Sequence, residues 1–101
     1  MPVSGDTYSF TERDILRAPI GKGVYSLHKG GETIYIGKAE GEGGIRARLM
    51  AHMRGDEGTC TKQATTYRYE LHRNPVARED ELLLEYRYAH GRLPLCNEQK
   101  D

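Results

Sequence analysis

Two tyrosines on either side of a Gly-Gly pair are the first residues in this sequence that could do chemistry. Tyr25 and Tyr35 lie in the stretch GVYSLHKGGETIYIGKA, which covers residues 23–39. A phenol has a pKa near ~10, so it acts as a base at neutral pH only where nearby positive charge lowers that pKa. Lys38 follows Tyr35 closely and could supply this charge. Tyrosine also occurs in strands for packing alone, so the pair by itself does not establish a site.

Basic side chains further along the chain have the chemistry of a phosphate site. Arg48 carries a planar guanidinium that can pair with a phosphate, although it could also be an ordinary surface arginine. Arg46 is either a surface arginine or a further phosphate ligand. His52 lies one helical turn after Arg48 on the same face, where it can orient the arginine, contact phosphate or simply be solvated.

A glutamate in a leucine-rich segment is the candidate metal ligand. Glu85 ends the segment ELLLE, and its anionic oxygens suit a hard cation such as magnesium or manganese. Glu79, Asp80 and Glu81 are expected to be solvated helical acids. Glu81 stays an alternative to Glu85, because it lies one turn earlier on the same helix face.

The elements that must position these side chains can be predicted from patterning and from helix caps. Thr11 followed by Asp14 resembles a capping box. Asn74 and Pro75 are residue types preferred at the start of a helix, and Gly91 is the type preferred just past its end. The predicted order is helix, strand, strand, helix, strand, helix, over residues 12–18, 23–28, 32–38, 45–54, 65–71 and 75–90. This order indicates a small α/β (α+β) fold in which a three-stranded, largely antiparallel sheet is flanked by helices.

The length of the hairpin loop decides whether the two tyrosines share a face of the sheet. A two-residue Gly-Gly loop would pair Tyr35 with Ser26 and place the phenols on opposite faces. A three-residue Lys-Gly-Gly loop would pair Tyr25 directly with Tyr35, and this is the register that we predict. It also gathers three apolar side chains on the opposite face, where they can form core: Val24, Ile34 and Ile36.

Composition excludes several classes of protein. A chain of 101 residues with 37% hydrophobic content is expected to form one compact domain over residues 1–101. Lys plus Arg equals Asp plus Glu at 15 each, so any polyanion must be bound by a local patch. The absence of a long apolar run and of a signal-peptide pattern predicts a cytoplasmic protein. Cys60 and Cys96 lack the close partners of a zinc site and are interpreted as reduced, with a disulfide as the lesser alternative.

Four separated pieces of the sequence, in order, resemble the GIY-YIG nuclease family. Residues 23–25, GVY, resemble the first signature. Residues 35–39, YIGKA, match the second signature and its continuation in the nuclease domain of the bacterial excision-repair incision subunit. Residues 45–52 place an isoleucine, an arginine and a histidine as in the family's helix, and residues 85–97 keep that domain's spacing of glutamate, proline and asparagine. The likeness covers residues 23–97.

Three departures from the excision-repair pattern bear on substrate choice. Val24 replaces an isoleucine, Cys96 stands where that domain carries an aromatic residue, and the loop over residues 40–44 is longer. The first change is conservative. The other two changes leave the choice of substrate undetermined and have less bearing on the chemistry.

The resemblance implies a metal-dependent endonuclease that hydrolyses phosphodiester bonds in nucleic acid, with DNA expected over RNA. It implies a single Mg²⁺ or Mn²⁺ ion held by Glu85, because one matched carboxylate does not support a two-metal scheme. A protein partner that supplies specificity is compatible with this activity. A non-cleaving nucleic-acid-binding module and a protein-interaction domain are the alternatives, and they are disfavoured because Tyr25, Tyr35, Arg48 and Glu85 are all present.

The resemblance also implies a division of roles at the scissile phosphate. Tyr35 is predicted to activate the attacking water and Tyr25 to position it, while Arg48 stabilises transition-state charge. The remaining candidates are predicted to bind phosphate or to support the site: Lys38, Arg46, His52 and Asn97.

Overall fold

A computed structural model of the chain describes residues 3–98, and its elements follow the predicted order with three additions. The helices are α1 (Glu12–Ile15), α2 (Gly44–Arg54), α3 (Pro75–His90) and α4 (Leu95–Glu98), with a short 3-10 helix at Cys60–Gln63. The strands are β1 (Tyr8–Ser9), β2 (Gly23–Lys29), β3 (Glu32–Ala39) and β4 (Thr66–Leu71). The additions are β1, the 3-10 helix and α4. Within the described range, no helix is long and apolar enough to cross a membrane.

The sheet has four strands, not the three that the sequence predicts. Its order is β1-β4-β2-β3, and neighbouring strands are antiparallel. The additional strand, β1, pairs Tyr8 with Tyr67 and Ser9 with Thr66. A strand of two residues has no alternation to detect, which is why the predicted number of strands is wrong. The other edge of the sheet is β3.

Side chains at the helix starts make the caps that the sequence predicts. The backbone N–H of Asp14 donates to Thr11 Oγ1 at 3.3 Å, although α1 is shorter than predicted. At the start of α3, the N–H of Ala77 donates to Asn74 Oδ1 at 3.3 Å. Gly91 ends α3 with a φ of 75°, a left-handed conformation that favours glycine. The predicted bounds of α3 are therefore confirmed.

The hairpin between β2 and β3 brings both tyrosines to one face through an unexpected register. Both glycines of its turn have positive φ, 59° and 86°, as the mirror-image hairpin turns require. A bulge near this turn shifts the register, so that Tyr35 pairs with Leu27 and Tyr25 pairs with Gly37. The predicted direct pairing of the tyrosines is wrong. Their predicted common face is confirmed, because their ring centroids lie 6.1 Å apart.

Each face of the sheet has its own apolar core. On the face that carries the tyrosines, α2 contributes Ile45 and Leu49. On the other face, α3 contributes Leu82, which clusters with Val24. Ile34 was predicted on this second face and lies in the first core instead, because the bulge changes the side on which it emerges.

A disulfide between Cys60 and Cys96 joins the 3-10 helix to α4. The prediction that both cysteines are reduced is therefore wrong. The two residues are 36 positions apart, in elements too short to be predicted, so no local pattern indicates that they meet. The 3-10 helix packs on α2, and α4 packs on β3. The disulfide therefore links an element packed on α2 to an element packed on the edge strand.

Candidate active site

An open pocket lies at the β3 edge of the sheet, where side chains from three elements converge. Tyr35 and Lys38 come from β3, Arg48 comes from α2 and Glu79 comes from α3. The loop after β3 completes the lining. The structure thus brings three predicted site residues together with a carboxylate that the sequence analysis assigned to solvent.

Tyr35 is the tyrosine that reaches this pocket. Its side chain is half-buried, and its ring centroid lies 4.8 Å from that of His52. Burial raises the pKa of the Tyr35 phenol, and the neighbouring Arg48 guanidinium opposes that rise. A role as a base at neutral pH therefore requires further positive charge in the pocket.

Gly37 is required by the close approach of both phenols to β3. A Cβ atom added at this position would lie 2.6 Å from the Tyr25 hydroxyl oxygen and 2.6 Å from a ring carbon of Tyr35. Both distances are shorter than ordinary van der Waals contact, so any larger residue would displace a tyrosine. Close packing against the two tyrosines therefore explains why glycine stands in the YIG triplet.

Arg48 connects the open pocket with the interior. Its guanidinium pairs with Glu57 at 2.8 Å, and the two side chains are 36% and 31% exposed. Its positive charge also acts on both phenols, because it opposes the rise in the pKa of Tyr25 and of Tyr35. Its Nε atom is buried and has no hydrogen-bond partner within residues 3–98. The arginine is therefore held between one acid and two phenols with one donor unused.

Tyr25 is enclosed in a buried chain of hydrogen bonds. Its hydroxyl oxygen lies 2.7 Å from His52 Nε2, and His52 Nδ1 lies 2.8 Å from Thr61 Oγ1. Tyr25, His52 and Thr61 are 0%, 1% and 2% exposed. Burial raises the pKa of the Tyr25 phenol, and burial together with the Arg48 charge lowers the pKa of His52 to about 4. Both side chains are therefore neutral at physiological pH, and this burial favours an orienting role for His52 over solvation or contact with phosphate.

Lys38 and Glu79 form an ion pair in the pocket. Their Nζ and Oε1 atoms lie 3.6 Å apart, and the side chains are 39% and 17% exposed. Burial raises the pKa of the Glu79 carboxyl, and the Lys38 ammonium opposes that rise. Glu79 lies three residues before the buried Leu82, on the face of α3 that covers the sheet. This helical periodicity is the signal from which the sequence could have identified Glu79.

Asn97 fastens the C-terminal helix to β3 directly beside Tyr35. Its Oδ1 accepts the backbone N–H of Ile36 at 2.9 Å, and its Nδ2 donates to the Ile36 carbonyl at 3.0 Å. The predicted tie from the C-terminal segment to the site is thus present. Because β3 is an edge strand, these two bonds also satisfy backbone groups that no neighbouring strand reaches.

Glu85 and Arg46 are predicted site residues that contact other parts of the molecule and do not line the pocket. Glu85 lines a separate cavity between α3 and the sheet, among polar and apolar side chains of β2 and β3. Arg46 is on α2, and its Nε donates to the Ala18 carbonyl at 2.8 Å. Glu81, the alternative to Glu85, pairs with Arg78. Within the described residues, none of these three side chains lines the pocket with Tyr35.

Comparison with known proteins gives one consistent similarity. The sequence matches no family model and no curated protein. The structure is similar to the GIY-YIG N-terminal endonuclease domain of UvrC from Thermotoga maritima bound to its catalytic divalent cation, magnesium, with 26% identity and a TM-score of 0.63 over 82% of this chain and 90% of that chain. An asparagine-to-alanine point mutant of the same domain, also bound to its catalytic divalent cation, gives 26% identity and a TM-score of 0.64 over 82% and 89% of the two chains. The predicted likeness of the fold is therefore confirmed.

Proposed function

We propose that this GIY-YIG nuclease-like domain is a metal-dependent endonuclease that hydrolyses phosphodiester bonds in nucleic acid, with DNA as the expected substrate. The observation that carries the proposal is the convergence of Tyr35, Lys38, Arg48 and Glu79 in one open pocket. Phosphodiester hydrolysis needs an activated water, positive charge for the phosphoryl oxygens and protection of the leaving oxygen. The pocket offers residue types suited to each need. The similarity to an endonuclease domain supports the same activity.

Arg48 is the residue proposed to stabilise the charge that develops on the phosphoryl oxygens. Within the described residues its Nε donor is buried without a partner, and a phosphate oxygen could satisfy a donor that the folded chain leaves unused. Its Nη1 and Nη2 atoms donate to Glu57 at 2.8 and 3.3 Å. This ion pair is partly exposed, so exchanging it for a phosphate costs little.

Tyr35 is the proposed base, because it is the phenol that lines the pocket. It would accept the proton of the attacking water, provided that positive charge lowers a pKa that burial has raised. Lys38 and Arg48 line the same pocket and supply part of that charge. Tyr25 is enclosed against His52, so its proposed role is to support Arg48.

The donors of the pocket fit a single hard cation. Burial disfavours the charged form of Glu79, and a bound cation would restore it. Within residues 3–98 no three His, Cys, Asp or Glu side chains are grouped as a metal site, so an ion held by Glu79 would keep most of its waters, as Mg²⁺ commonly does. When bound, Mg²⁺ or Mn²⁺ supplies positive charge for the phosphoryl and leaving oxygens.

Two carboxylates are candidates for the metal ligand. The family resemblance implies Glu85, through its spacing from Asn97. Position favours Glu79, which shares the pocket with Tyr35 and Arg48. We take Glu79 as the proposed ligand and keep Glu85 as the alternative.

Binding to plain duplex is expected to be weak and sensitive to salt. The formal net charge of the chain is zero, so few phosphates can be neutralised, and each contact adds roughly one unit to the salt slope. Lys38 and Arg46 are the proposed backbone contacts. A protein partner that supplies specificity and a cytoplasmic location remain predictions. Tight, sequence-specific binding in high salt would contradict this view of the substrate.

A pair of charge-removing variants tests the proposal and separates the two carboxylates. Glu79→Gln and Glu85→Gln preserve side-chain size, and Glu81→Gln is the matched control on the same helix. Each protein is assayed for nicking of supercoiled plasmid and cleavage of labelled RNA, with and without Mg²⁺, and for Mg²⁺ and Mn²⁺ binding by calorimetry. We expect Glu79→Gln to lose most metal affinity and turnover, and the other two variants to resemble the wild type.

Two outcomes would change the proposal. Cleavage that survives Glu79→Gln but is lost in Glu85→Gln would move the metal site along α3 to the residue implied by the resemblance. A wild-type protein that cleaves neither DNA nor RNA with either metal, yet binds one of them, would favour the non-cleaving module.

A further inference from the structure

We infer that Thr61 is a positioning residue of the site: its hydroxyl fixes the tautomer of His52, which directs the Tyr25 proton inward and leaves the Tyr25 oxygen free to hold Arg48. The inference rests on the proposed function for its kinetic consequence. The tautomer itself can be measured on the protein without substrate, so the two can fail separately.

The chain of contacts that carries the inference is short and buried. Tyr25 Oη lies 2.7 Å from His52 Nε2, and Thr61 Oγ1 lies 2.8 Å from His52 Nδ1. Thr61 is 2% exposed, so water does not replace its hydroxyl readily. Each ring nitrogen of His52 therefore has its own buried partner, Tyr25 for Nε2 and Thr61 for Nδ1.

These distances alone permit two directions of hydrogen bonding. A neutral imidazole has one N–H. Either Nδ1–H donates to Thr61 and Nε2 accepts from Tyr25, or Nε2–H donates to Tyr25 and Nδ1 accepts from Thr61. The low pKa of His52, about 4, supports the neutral form in both cases.

Arg48 decides between the two directions. A guanidinium has donors only, and the Arg48 charge acts on the Tyr25 hydroxyl, because it opposes the rise in the pKa of that phenol. The oxygen of the phenol therefore faces this cation, and its proton points to another acceptor. His52 Nε2 is placed to accept it at 2.7 Å, which leaves the imidazole proton on Nδ1, facing Thr61. The bonds then run in one direction from a cation through Tyr25 and His52 to Thr61, an order in which each bond polarises the next.

The surroundings of Thr61 hold its hydroxyl in place. It lies in the 3-10 helix, where its carbonyl accepts the N–H of Ala64 at 3.2 Å. The preceding residue, Cys60, forms the disulfide to Cys96 on α4. The 3-10 helix also packs on α2, the helix that carries both His52 and Arg48. Thr61 is thus held against α2, the helix whose His52 and Arg48 side chains it orients.

Removing the hydroxyl should loosen Arg48 without changing the pocket surface. In Thr61→Val, the Nδ1–H of His52 has no acceptor. The other tautomer would direct both Nε2–H and Arg48 at the Tyr25 oxygen and leave the phenol proton without a partner. The first state leaves a buried donor without an acceptor, so the second tautomer becomes populated, and in it the Tyr25 oxygen no longer holds Arg48 in one position. The transition state should suffer more than substrate binding, because Arg48 acts on developing charge.

The experiment combines a spectroscopic and a kinetic measurement on the full chain. Long-range ¹H–¹⁵N NMR reports which nitrogen of His52 carries the proton in the wild type, Thr61→Ser and Thr61→Val. Plasmid-nicking kinetics with Mg²⁺ give kcat and KM for the same proteins. Thr59→Val is the matched control, because Thr59 is exposed and its side chain makes no capping hydrogen bond.

We expect Nδ1–H in the wild type and in Thr61→Ser, and a changed or mixed tautomer in Thr61→Val. The kcat of Thr61→Val should fall by about tenfold, the effect of one buried hydrogen bond, with KM little changed. Thr61→Ser and Thr59→Val should remain near the wild type. A wild-type His52 protonated on Nε2, or a Thr61→Val protein with unchanged tautomer and kcat, would overturn the inference. An inactive wild type with the expected tautomers would instead overturn the proposed function and leave the positioning of His52 established.

Discussion

The candidate site has a buried side and an open side, and its two tyrosines are divided between them. On the buried side, Tyr25 is hydrogen-bonded to His52, which is hydrogen-bonded to Thr61. On the open side, Tyr35 lines the pocket with the ion pair of Lys38 and Glu79. The two tyrosines have the same residue type, share one face of the hairpin and lie 6.1 Å apart between ring centroids. Their chemistry differs because their surroundings differ.

Burial raises the pKa of both phenols, but an incoming charge can oppose this rise at only one of them. A cation or a phosphate that enters the pocket can change the field at Tyr35, whereas Tyr25 is fully enclosed. The buried side is therefore suited to hold geometry and the open side to exchange protons. Arg48 is the residue that contacts both.

The largest expected effect on stability comes from the disulfide that closes the buried side. Replacing both Cys60 and Cys96 by serine opens a loop of 36 residues, which should lower the free energy of unfolding by about 4 kcal/mol. Urea unfolding of the variant and of the oxidised wild type measures the difference. Wild-type protein treated with a reductant should match the double variant. Equal stability of the oxidised and reduced wild type would show that the buried side does not depend on this bond.

Removing the residue that joins the two sides should give the largest loss of activity. Arg48→Ala is expected to reduce cleavage by about a hundredfold or more, because a lost transition-state charge contact costs about 3 kcal/mol. Thermal unfolding should remain cooperative, since the guanidinium is partly exposed. Arg54→Ala is the matched control on the same helix, where the arginine pairs with the exposed Asp56. A near-normal rate for Arg48→Ala would reduce that residue to a surface arginine.

The buried side should also make stability depend on pH. The folded pKa of His52 is about 4, below its ordinary 6.5, so the unfolded chain binds more protons between these values. Stability is then full above about pH 6.5 and falls as the pH drops through 4, by about 3 kcal/mol at most. Urea unfolding from pH 7 to pH 4 measures this loss. His52→Gln should lose less stability over the same range, because glutamine does not titrate and every other titrating group is unchanged.

The sequence predicts the open side better than the buried side. Residues 35–39 and Arg48 are local signals, because the presence of a strand and a position on a helix face follow from patterns within a few residues. The bounds of α3 are also predicted, since Asn74 and Gly91 are capping residues that act on their own neighbours. The helical order, the hairpin and the family likeness of the fold could all be read from such signals.

The features that the sequence misses depend on contacts between distant or very short elements. The strand β1 has two residues, and the 3-10 helix that carries Thr61 has four. Neither is long enough to show a period. The disulfide and the hydrogen bond between His52 and Thr61 need those elements to be in place first. The position of Glu79 is a different case. The helical period of α3 places Glu79 on the face that covers the sheet, whereas the motif spacing favours Glu85.

The smallest effect, and the most direct test of the comparison, comes from removing each phenol oxygen in turn. Tyr25→Phe leaves His52 Nε2 buried without a donor, which should lower the free energy of unfolding by about 2 kcal/mol. Tyr35→Phe removes a hydroxyl from the pocket wall and should change that free energy by only a few tenths of a kcal/mol. Cleavage should fall further in Tyr35→Phe than in Tyr25→Phe, because only Tyr35 is placed to meet the attacking water. Urea unfolding ranks the two variants by stability and plasmid nicking ranks them by activity. The two rankings should be opposite. If one variant were the worse in both assays, stability and catalysis would not be divided between the two sides, and the site would act as a single packed unit.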